Sequence, residues 1–501
     1  MLTSKLEKIL VNCFAAALYI FCLGKFGSLI GRTLQCGDTG WLIKTGQYIL
    51  AHGLPATDPF SFTCPDRPIV IYQWLFAVAL GALFQHGGLW LVGLASAVVA
   101  ALIYLCYLPA SMIRLGVKPV YVFGLLSLAS CPVFFWARPQ LVSFVLIALF
   151  TLILEHLRTK GYDRLTWLLP PLMVLWANSH SFWFIGLLMV TAYLIAAILE
   201  NKNERRSLGL VLLACFGAVL LNPYGWALVQ YNISFTTEPD FGSIRELQPS
   251  LLLHPKLFVA DLFYLALAWS AIIVGRRAVP LSGLLLAAIG SVAALMFYRF
   301  EPVAILLTWP YAGLALSKIE SFQSAALKQE PANSGAKRLK LVTIILPILA
   351  IGCAMFSFMC QFPPEKPIWF TNTDTNLETT KFLKRHPDLL NRMFCDPAIG
   401  SSLIFENLAP VFIDTRFDFY GRQFCSEYNS CFDAEQGWQD YLSKWQVRSL
   451  CVDDNYPIYK ALLTSKSWLV VFDDHHFSVW LPNNEAGKKR QQELAIRNTN
   501  E

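Results

Sequence analysis

Two carboxylates on one short segment, Asp38 and Asp58, are the residues of this 501-residue chain best suited to move a proton. Asp38 stands in Gly37-Asp38-Thr39-Gly40-Trp41, just after a long apolar run. Asp58 follows a helix-like stretch and a Gly-Pro turn, in Gly53-Leu54-Pro55-Ala56-Thr57-Asp58-Pro59-Phe60. A carboxylate beside an apolar span can accept a proton from a hydroxyl or hold a cation, and two of them can form the acid/base pair of a group transfer. The plainer reading has Asp38 capping a surface helix and Asp58 initiating the turn at Pro59. Both readings remain open on spacing alone.

A second set of candidates sits in thin breaks between apolar runs. Arg138 lies in Ala137-Arg138-Pro139, His180 in Asn178-Ser179-His180-Ser181, and Arg299 and Glu301 flank Phe300. Charge so close to hydrocarbon is costly unless it is paired or wet. A guanidinium fork there can bind a phosphate and stabilise it as a leaving group. The alternatives are a snorkelling arginine and an interfacial histidine. Further on, Asp414, Arg416 and Asp418 alternate after the apolar Val411–Ile413. An extended segment would place them on one face, either as an acceptor-binding edge centred on Arg416 or as an ion-pair network. Cys36 and Cys64 bracket the first polar loop, and Cys425 and Cys431 lie close together; each pair is open to bridging or to free thiols.

The elements that must position these groups are membrane helices. Hydrophobic residues make up 55% of the chain and charged residues 15%, below the usual quarter of a soluble domain. Apolar segments recur at about 9–30, 72–85, 88–110, 119–136, 139–157, 165–178, 181–199, 207–221, 256–274, 279–297, 301–317 and 341–360. Basic residues cluster in alternate loops, such as Arg158, Lys160 and Arg164, or Arg276 and Arg277. The positive-inside rule puts those loops in the cytoplasm, and loop 31–71 with the breaks at Arg138, His180 and Arg299 outside. Segment 72–85, short and broken from the next at Gly87-Gly88, is read as not fully spanning. That leaves about 11 crossings, against about 12 if it spans. The N-terminus is then cytoplasmic and the C-terminus external. The net charge of +6 belongs to these loops, and no basic stripe points to nucleic acid.

After Pro363-Pro364 the composition turns polar. A helix is expected over Asn376–His386, and strands over Val411–Asp414, Ser449–Asp453, Trp468–Phe472 and Phe477–Leu481. The expected organisation is a transmembrane domain over 1–362 with external loop 31–71, a soluble extracytoplasmic α/β domain over 363–484, and a charged disordered tail over 485–501.

These residues resemble a family. GDTGWLIKTGQYILAHGLPATDPFSFT followed by YQWLFAVALGALF looks like the first third of the GT-C glycosyltransferases, which include protein O-mannosyltransferases, aminoarabinose transferases and the oligosaccharyltransferase catalytic subunit. WARPQLVSFVLIALF, LMVLWANSHSFWFIGLL, LLNPYGWALV, VFIDTRFDFYG and GWQDYLSKWQVRSLCV extend the resemblance to a bacterial branch over nearly the whole chain. In that branch a histidine often follows the loop tryptophan, where this chain has Leu42. The resemblance implies a GT-C-like multi-pass α-helical protein of the inner (plasma) membrane with a periplasmic α/β domain. It implies an inverting transfer of sugar from a polyprenyl-phosphate donor to a glycan, lipid or protein acceptor. Asp38 corresponds to the catalytic or metal-associated carboxylate, with a divalent cation, Mg2+ or Mn2+, as the possible cofactor. The competing expectation is a non-catalytic transporter or assembly factor for envelope polysaccharide. It calls for charges paired within the spans and inverted repeats, neither of which stands out in the sequence.

Overall fold

The computed structural model describes residues 37–107, 136–237, 249, 255–327, 377–408 and 410–498. The apolar segments expected at 9–30 and 341–360, nearly all of 119–136, and Cys36 lie outside the described residues. In chain order the helices begin with α1 (Gly37–His52), α2 (Trp74–Ala101), α3 (Gln140–Lys160), α4 (Leu169–Ala177) and α5 (Trp183–Leu199). Next come α6 (Arg205–Val219), α7 (Trp226–Thr237), α8 (Pro255–Val274), α9 (Leu281–Met296) and α10 (Glu301–Leu327). The C-terminal region runs α11 (Leu377–Arg385), β1 (Met393–Cys395), α12 (Pro397–Phe405), α13 (Phe417–Tyr420), α14 (Arg422–Phe432) and α15 (Trp438–Lys444). It ends with β2 (Ser449–Asp453), α16 (Pro457–Thr464), β3 (Trp468–Asp473), β4 (Phe477–Pro482) and α17 (Glu485–Asn498).

The chain divides into two compact units. One comprises Met1–Gly31, Trp90–Val229 and Ile244–Thr371; the other comprises Arg32–Leu89, Gln230–Ser243 and Asn372–Glu501. The first unit is helical. Its interior holds Trp176, Phe144, Phe150 and Tyr311, and the Tyr311 ring lies against Gly283, where a Cβ would fall 2.4 Å from it. Its outward faces are apolar as well: Leu213, Leu221, Ile273 and Val274 are each at least 65% exposed. A helix bundle in water would turn charge outward, whereas a bilayer covers such faces. Trp74–Ala101 and Gln140–Lys160 are long and apolar enough to cross a membrane, and Trp183–Leu199, Tyr264–Val274 and Leu281–Met296 are shorter apolar helices. The break expected at Gly87-Gly88 is present inside α2: Gly87 is non-helical, and Gly88 adopts a positive φ of 61°, a conformation natural to glycine.

The first unit also carries a buried polar knot that the sequence did not suggest. Glu155 on α3 accepts from Tyr193 Oη (2.5 Å) and Tyr311 Oη (3.1 Å), while Arg158 Nη2 donates to its other oxygen (2.7 Å). Glu155 stands near the end of the apolar segment expected at 139–157 and Arg158 just beyond it, so the pair sits at the edge of that segment.

The second unit joins the first polar loop to the C-terminal α/β region. Its sheet runs β1-β2-β4-β3, with β1 parallel to β2 and the other pairs antiparallel. Helix α1 packs on α12 and crosses α2 at glycine: a Cβ on Gly46 would fall 1.8 Å from the Ala77 carbonyl oxygen. The loop after α1 pairs with segment 411–412. Val411 N donates to Phe60 O (2.8 Å), Phe62 N donates to Val411 O (3.0 Å), and Thr63 Oγ1 donates to Phe412 O (2.7 Å). The expected strand Val411–Asp414 is thus an extended segment bridged to this loop, outside the sheet. Residues from Glu485, expected to be disordered, form α17. Leu494 is buried there, and Arg490 bonds Asp388 through Nε (3.0 Å) and Nη2 (2.9 Å).

Candidate functional site

Asp38 lies in the first turn of α1, where the helix dipole favours a negative charge. Its carboxylate is half-buried and held by two donors. Thr415 Oγ1 donates to Oδ1 at 2.7 Å, and the Trp41 indole donates to the same oxygen at 3.3 Å. Trp41 Nε1 also reaches Thr415 Oγ1 at 3.1 Å, and Thr415 is fixed in turn by Ser401, 3.1 Å away on α12. The close fit of the elements follows from their glycines: a Cβ on Gly37 would meet Thr415 at 3.2 Å, and one on Gly40 would meet Phe405 at 3.1 Å. A carboxylate oriented in this way, yet half open, can take a proton from an incoming hydroxyl.

Asp58 has a different environment. Its side chain is fully buried, and Arg416 binds both of its oxygens, Nη1 to Oδ1 at 2.6 Å and Nη2 to Oδ2 at 3.1 Å. Ser61 N supplies a further bond at 2.9 Å. The same guanidinium holds Asp414 through Nε at 2.8 Å and Nη2 at 2.6 Å, and Tyr420 Oη donates to Asp414 at 2.8 Å. Phe419, Phe60 and Trp41 surround the cation at 5.2–5.6 Å. Burial works against the charge on Arg416, but Asp414 and Asp58 outweigh it and keep the guanidinium firmly charged. Of the alternating trio, Asp414 and Arg416 share one ion-pair cluster. Asp418 turns away on α13 and accepts a bond from Tyr231 Oη. Burial pushes the Asp418 carboxyl up; Tyr231 opposes this, while the nearby charge of Asp38 adds to it.

The second unit also encloses a cavity of about 160 Å³ whose walls include Trp41, Arg67, Tyr231, Arg416 and Asp418. Asp38 is not among the lining residues, although its partner Trp41 is. Cys64, Cys425 and Cys431 are free thiols.

In the first unit the structure gathers three of the residues expected in the breaks. His180 is buried, and Arg299 and Arg138 are its charged neighbours. Burial, reinforced by those two charges, holds its imidazole well below the usual range, so the ring is neutral. Trp176 Nε1 donates to Ser143 Oγ at 2.8 Å, and Ser143 lies 2.7 Å from His180 Nδ1. Ser143 is completely buried, and either it or His180 Nδ1 is the donor of that bond, according to the imidazole tautomer. Arg299 stands 5.7 Å over the Phe182 ring, and Phe182 stacks on Phe300 at 4.5 Å. Glu301 opens α10 and is 7% exposed. Gln140, two residues after Arg138 at the start of α3, is buried with both amide atoms unpartnered among the described residues. Two cations, a neutral imidazole N–H and an unpartnered amide together suit an anion.

The residues that sequence reasoning missed are second partners: Thr415 for Asp38, Ser143 for His180, and Gln140. Thr415 and Gln140 lie within motifs already singled out, TRFDFYG and ARPQ, but nothing local marks them. Among the described residues no three His, Cys, Asp or Glu side chains gather into a set that could hold a metal ion. The described residues do not by themselves make a cation site at Asp38.

No family model matches the chain, and no curated protein matches it in sequence. Solved structures do match in fold. The oligosaccharyltransferase AglB from Archaeoglobus fulgidus, in complex with an inhibitory peptide and a dolichol-phosphate, aligns over 94% of this chain and 74% of its own, at TM-score 0.59 and 13% identity. ArnT from Cupriavidus metallidurans, bound to undecaprenyl phosphate, aligns over 95% of this chain and 97% of its own, at TM-score 0.52 and 13% identity.

Proposed function

We propose that this chain, which has the GT-C fold of those two proteins, is a membrane glycosyltransferase. It takes a sugar from a polyprenyl-phosphate donor and passes it to a glycan, lipid or protein acceptor of the cell envelope at the outer face of the inner membrane. The observation that carries this reading is the fold likeness over nearly the whole chain to proteins whose structures hold a dolichol-phosphate and an undecaprenyl phosphate.

The roles follow from the geometry of each unit. Asp38, oriented by Thr415 and Trp41, removes the proton of the acceptor hydroxyl. The hydroxyl oxygen attacks the anomeric carbon from the face opposite the phosphate. The new glycosidic C–O bond forms as the anomeric carbon–phosphate oxygen bond breaks, with inversion, and polyprenyl phosphate leaves with the bonding pair. In the first unit, Arg138, Arg299, the neutral His180 imidazole and Gln140 offer groups suited to the phosphate of such a donor. Glu301, buried at the start of α10, is a further candidate for binding the donor. Arg416 and Asp58 act through structure in this account, since each holds the other. Mg2+ or Mn2+ would have Asp38 as its carboxylate ligand, but the described residues do not complete a set, and no step here depends on one.

The competing reading, a transporter or assembly factor, would draw on the paired Glu155 and Arg158. Those groups are engaged with each other and with two tyrosines in the final turns of α3, as a helix-locking knot would be. Extracting lipids from cells with and without the gene tests the proposal. A polyprenyl-phosphate sugar should accumulate when the gene is absent, and an unchanged profile of such lipids would count against the function.

A further inference from the structure

The turn that joins α3 to α4 in the first unit carries large apolar side chains on its outside. Tyr162, Leu165, Trp167 and Leu168 are each 38–48% exposed. A patch of that kind on one short turn calls for a cover. Leu168 also begins an exposed apolar line that continues through Pro171 and Leu175 on α4 at helical spacing. That line belongs with the outward apolar faces that a bilayer covers, so the turn lies at the rim of the apolar layer. A tyrosine and a tryptophan at that level fit the headgroup zone, where each ring has an apolar body and a wet tip.

The charges on the turn narrow what the cover is. Asp163 is the one carboxylate among residues 160–168, and both of its oxygens are engaged: Oδ1 accepts from Leu165 N at 2.9 Å, and Oδ2 lies 2.8 Å from His156 Nε2. Lys160 and Arg164 flank it. Both are exposed, and neither has an ion-pair partner among the described residues. Arg158, one turn back on α3, is different, because Glu155 takes up its charge. Two long cations without counterions, beside an aromatic rim, suit a phosphate. The positive-inside rule puts this turn on the cytoplasmic side. Net charge then selects the lipid. A zwitterionic headgroup carries its own ammonium beside the phosphate, whereas a headgroup of net negative charge keeps the full attraction to both cations.

We propose that residues 160–168 form a headgroup site for an anionic phospholipid of the cytoplasmic leaflet. Lys160 and Arg164 bind its phosphate, while Tyr162, Trp167 and Leu168 pack against its glycerol and upper acyl chains. The site takes no part in sugar transfer and holds or fails independently of it.

The test uses the full-length protein in a neutral detergent and two probe lipids, phosphatidylglycerol and phosphatidylcholine, with native mass spectrometry measuring the affinity of the first lipid bound. The wild type should prefer phosphatidylglycerol by roughly thirtyfold, about fivefold for each cation. Lys160→Gln and Arg164→Gln should each remove about fivefold of that preference, and the double variant should bring the two lipids near parity. Arg164→Lys should keep most of it. Trp167→Ala should weaken both lipids alike. Replacing Arg276 and Arg277 by Gln, in a different basic loop, should leave the preference unchanged. Equal affinity of the wild type for the two lipids, or an unchanged preference in the double variant, overturns the site. An equal loss in the Arg276 and Arg277 variant overturns it as well, because the attraction would then be general. Inorganic phosphate separates a lipid from a free anion: if it raises the thermal midpoint as much as phosphatidylglycerol does, the lipid assignment falls. Midpoints without lipid check folding, and where the double variant does not fold the single variants decide.

Discussion

Replacing Arg416 by Ala should unfold the second unit rather than merely disarm it. The guanidinium is 5% exposed and sits between two carboxylates whose side chains are fully buried. Its removal leaves Asp58 with the Ser61 amide and Asp414 with the Tyr420 hydroxyl and the Arg416 backbone N–H, and no cation for either charge. Breaking a buried pair by deleting one partner costs about 3–5 kcal/mol, a large part of a typical stability of about 5–15 kcal/mol. Asp58→Asn is milder. Arg416 keeps Asp414, the amide oxygen still accepts a bond, and the loss is about 1–2 kcal/mol. Because the two residues hold each other, the double variant should cost less than the sum of the singles by at least about 1 kcal/mol. Thermal unfolding of the purified protein, followed by tryptophan fluorescence and by protease cleavage within residues 377–498, measures all three. An Arg416→Ala protein that stays within about 1 kcal/mol of wild type, or strictly additive losses, would refute the reasoning.

Three further outcomes are expected. Asp396 caps α12 through Ala398 N, and burial pushes its carboxyl up from 3.8 to about 6. The folded state therefore holds its proton more tightly than the unfolded chain, so the contribution of Asp396 to stability is fully present below about pH 4 and is lost as pH rises through about 6. Asp396→Asn keeps a capping side chain and should stabilise the protein at pH 7 by roughly 2–3 kcal/mol, with no gain below pH 4; equal melting curves at pH 7 would contradict this. Gly46→Ala forces a methyl group into the Ala77 carbonyl and should lower stability by about 1–3 kcal/mol in the same unfolding assay, whereas an unchanged midpoint would mean that α1 and α2 do not cross as described. A phosphatase fused after residue 490 should be active and a cytoplasmic reporter there silent, and the reverse would overturn the outward orientation on which the proposed function depends.

Much of the C-terminal sheet was legible from residues. Ser449–Asp453 forms β2 as expected, and β4 runs one residue past the expected Phe477–Leu481. Strand β1 escaped notice because Met393-Phe394-Cys395 is buried throughout and too short to alternate. Val411–Ile413 has the apolar character of a strand, but its partner is the loop around Ser61, a pairing no local pattern encodes. The same limit hid the role of Arg416. Alternation marked Asp414, Arg416 and Asp418, yet the deciding partner, Asp58, lies 358 residues away in sequence. Charge density suggested disorder from Glu485 onward, while a single buried Leu494 and the Arg490–Asp388 pair accompany a helix there. Asp38 stands out in the sequence by its immediate neighbours, whereas Thr415, which donates a hydrogen bond to it, does not.

The central claim is that Asp38 performs proton transfer at a site whose neighbours only orient it. Asp38→Asn preserves the shape, and Asn can still accept the bonds from Thr415 and Trp41, so membrane insertion and the thermal midpoint should stay near wild type. Asn lacks useful basicity, and losing a general base costs about 10²–10⁴-fold in rate. The decisive measurement is sugar transfer from a polyprenyl-phosphate donor by purified wild-type and Asp38→Asn proteins, with the midpoint recorded beside it. The account predicts a folded protein with transfer reduced at least about a hundredfold, and a folded Asp38→Asn protein with near-wild-type transfer would contradict it.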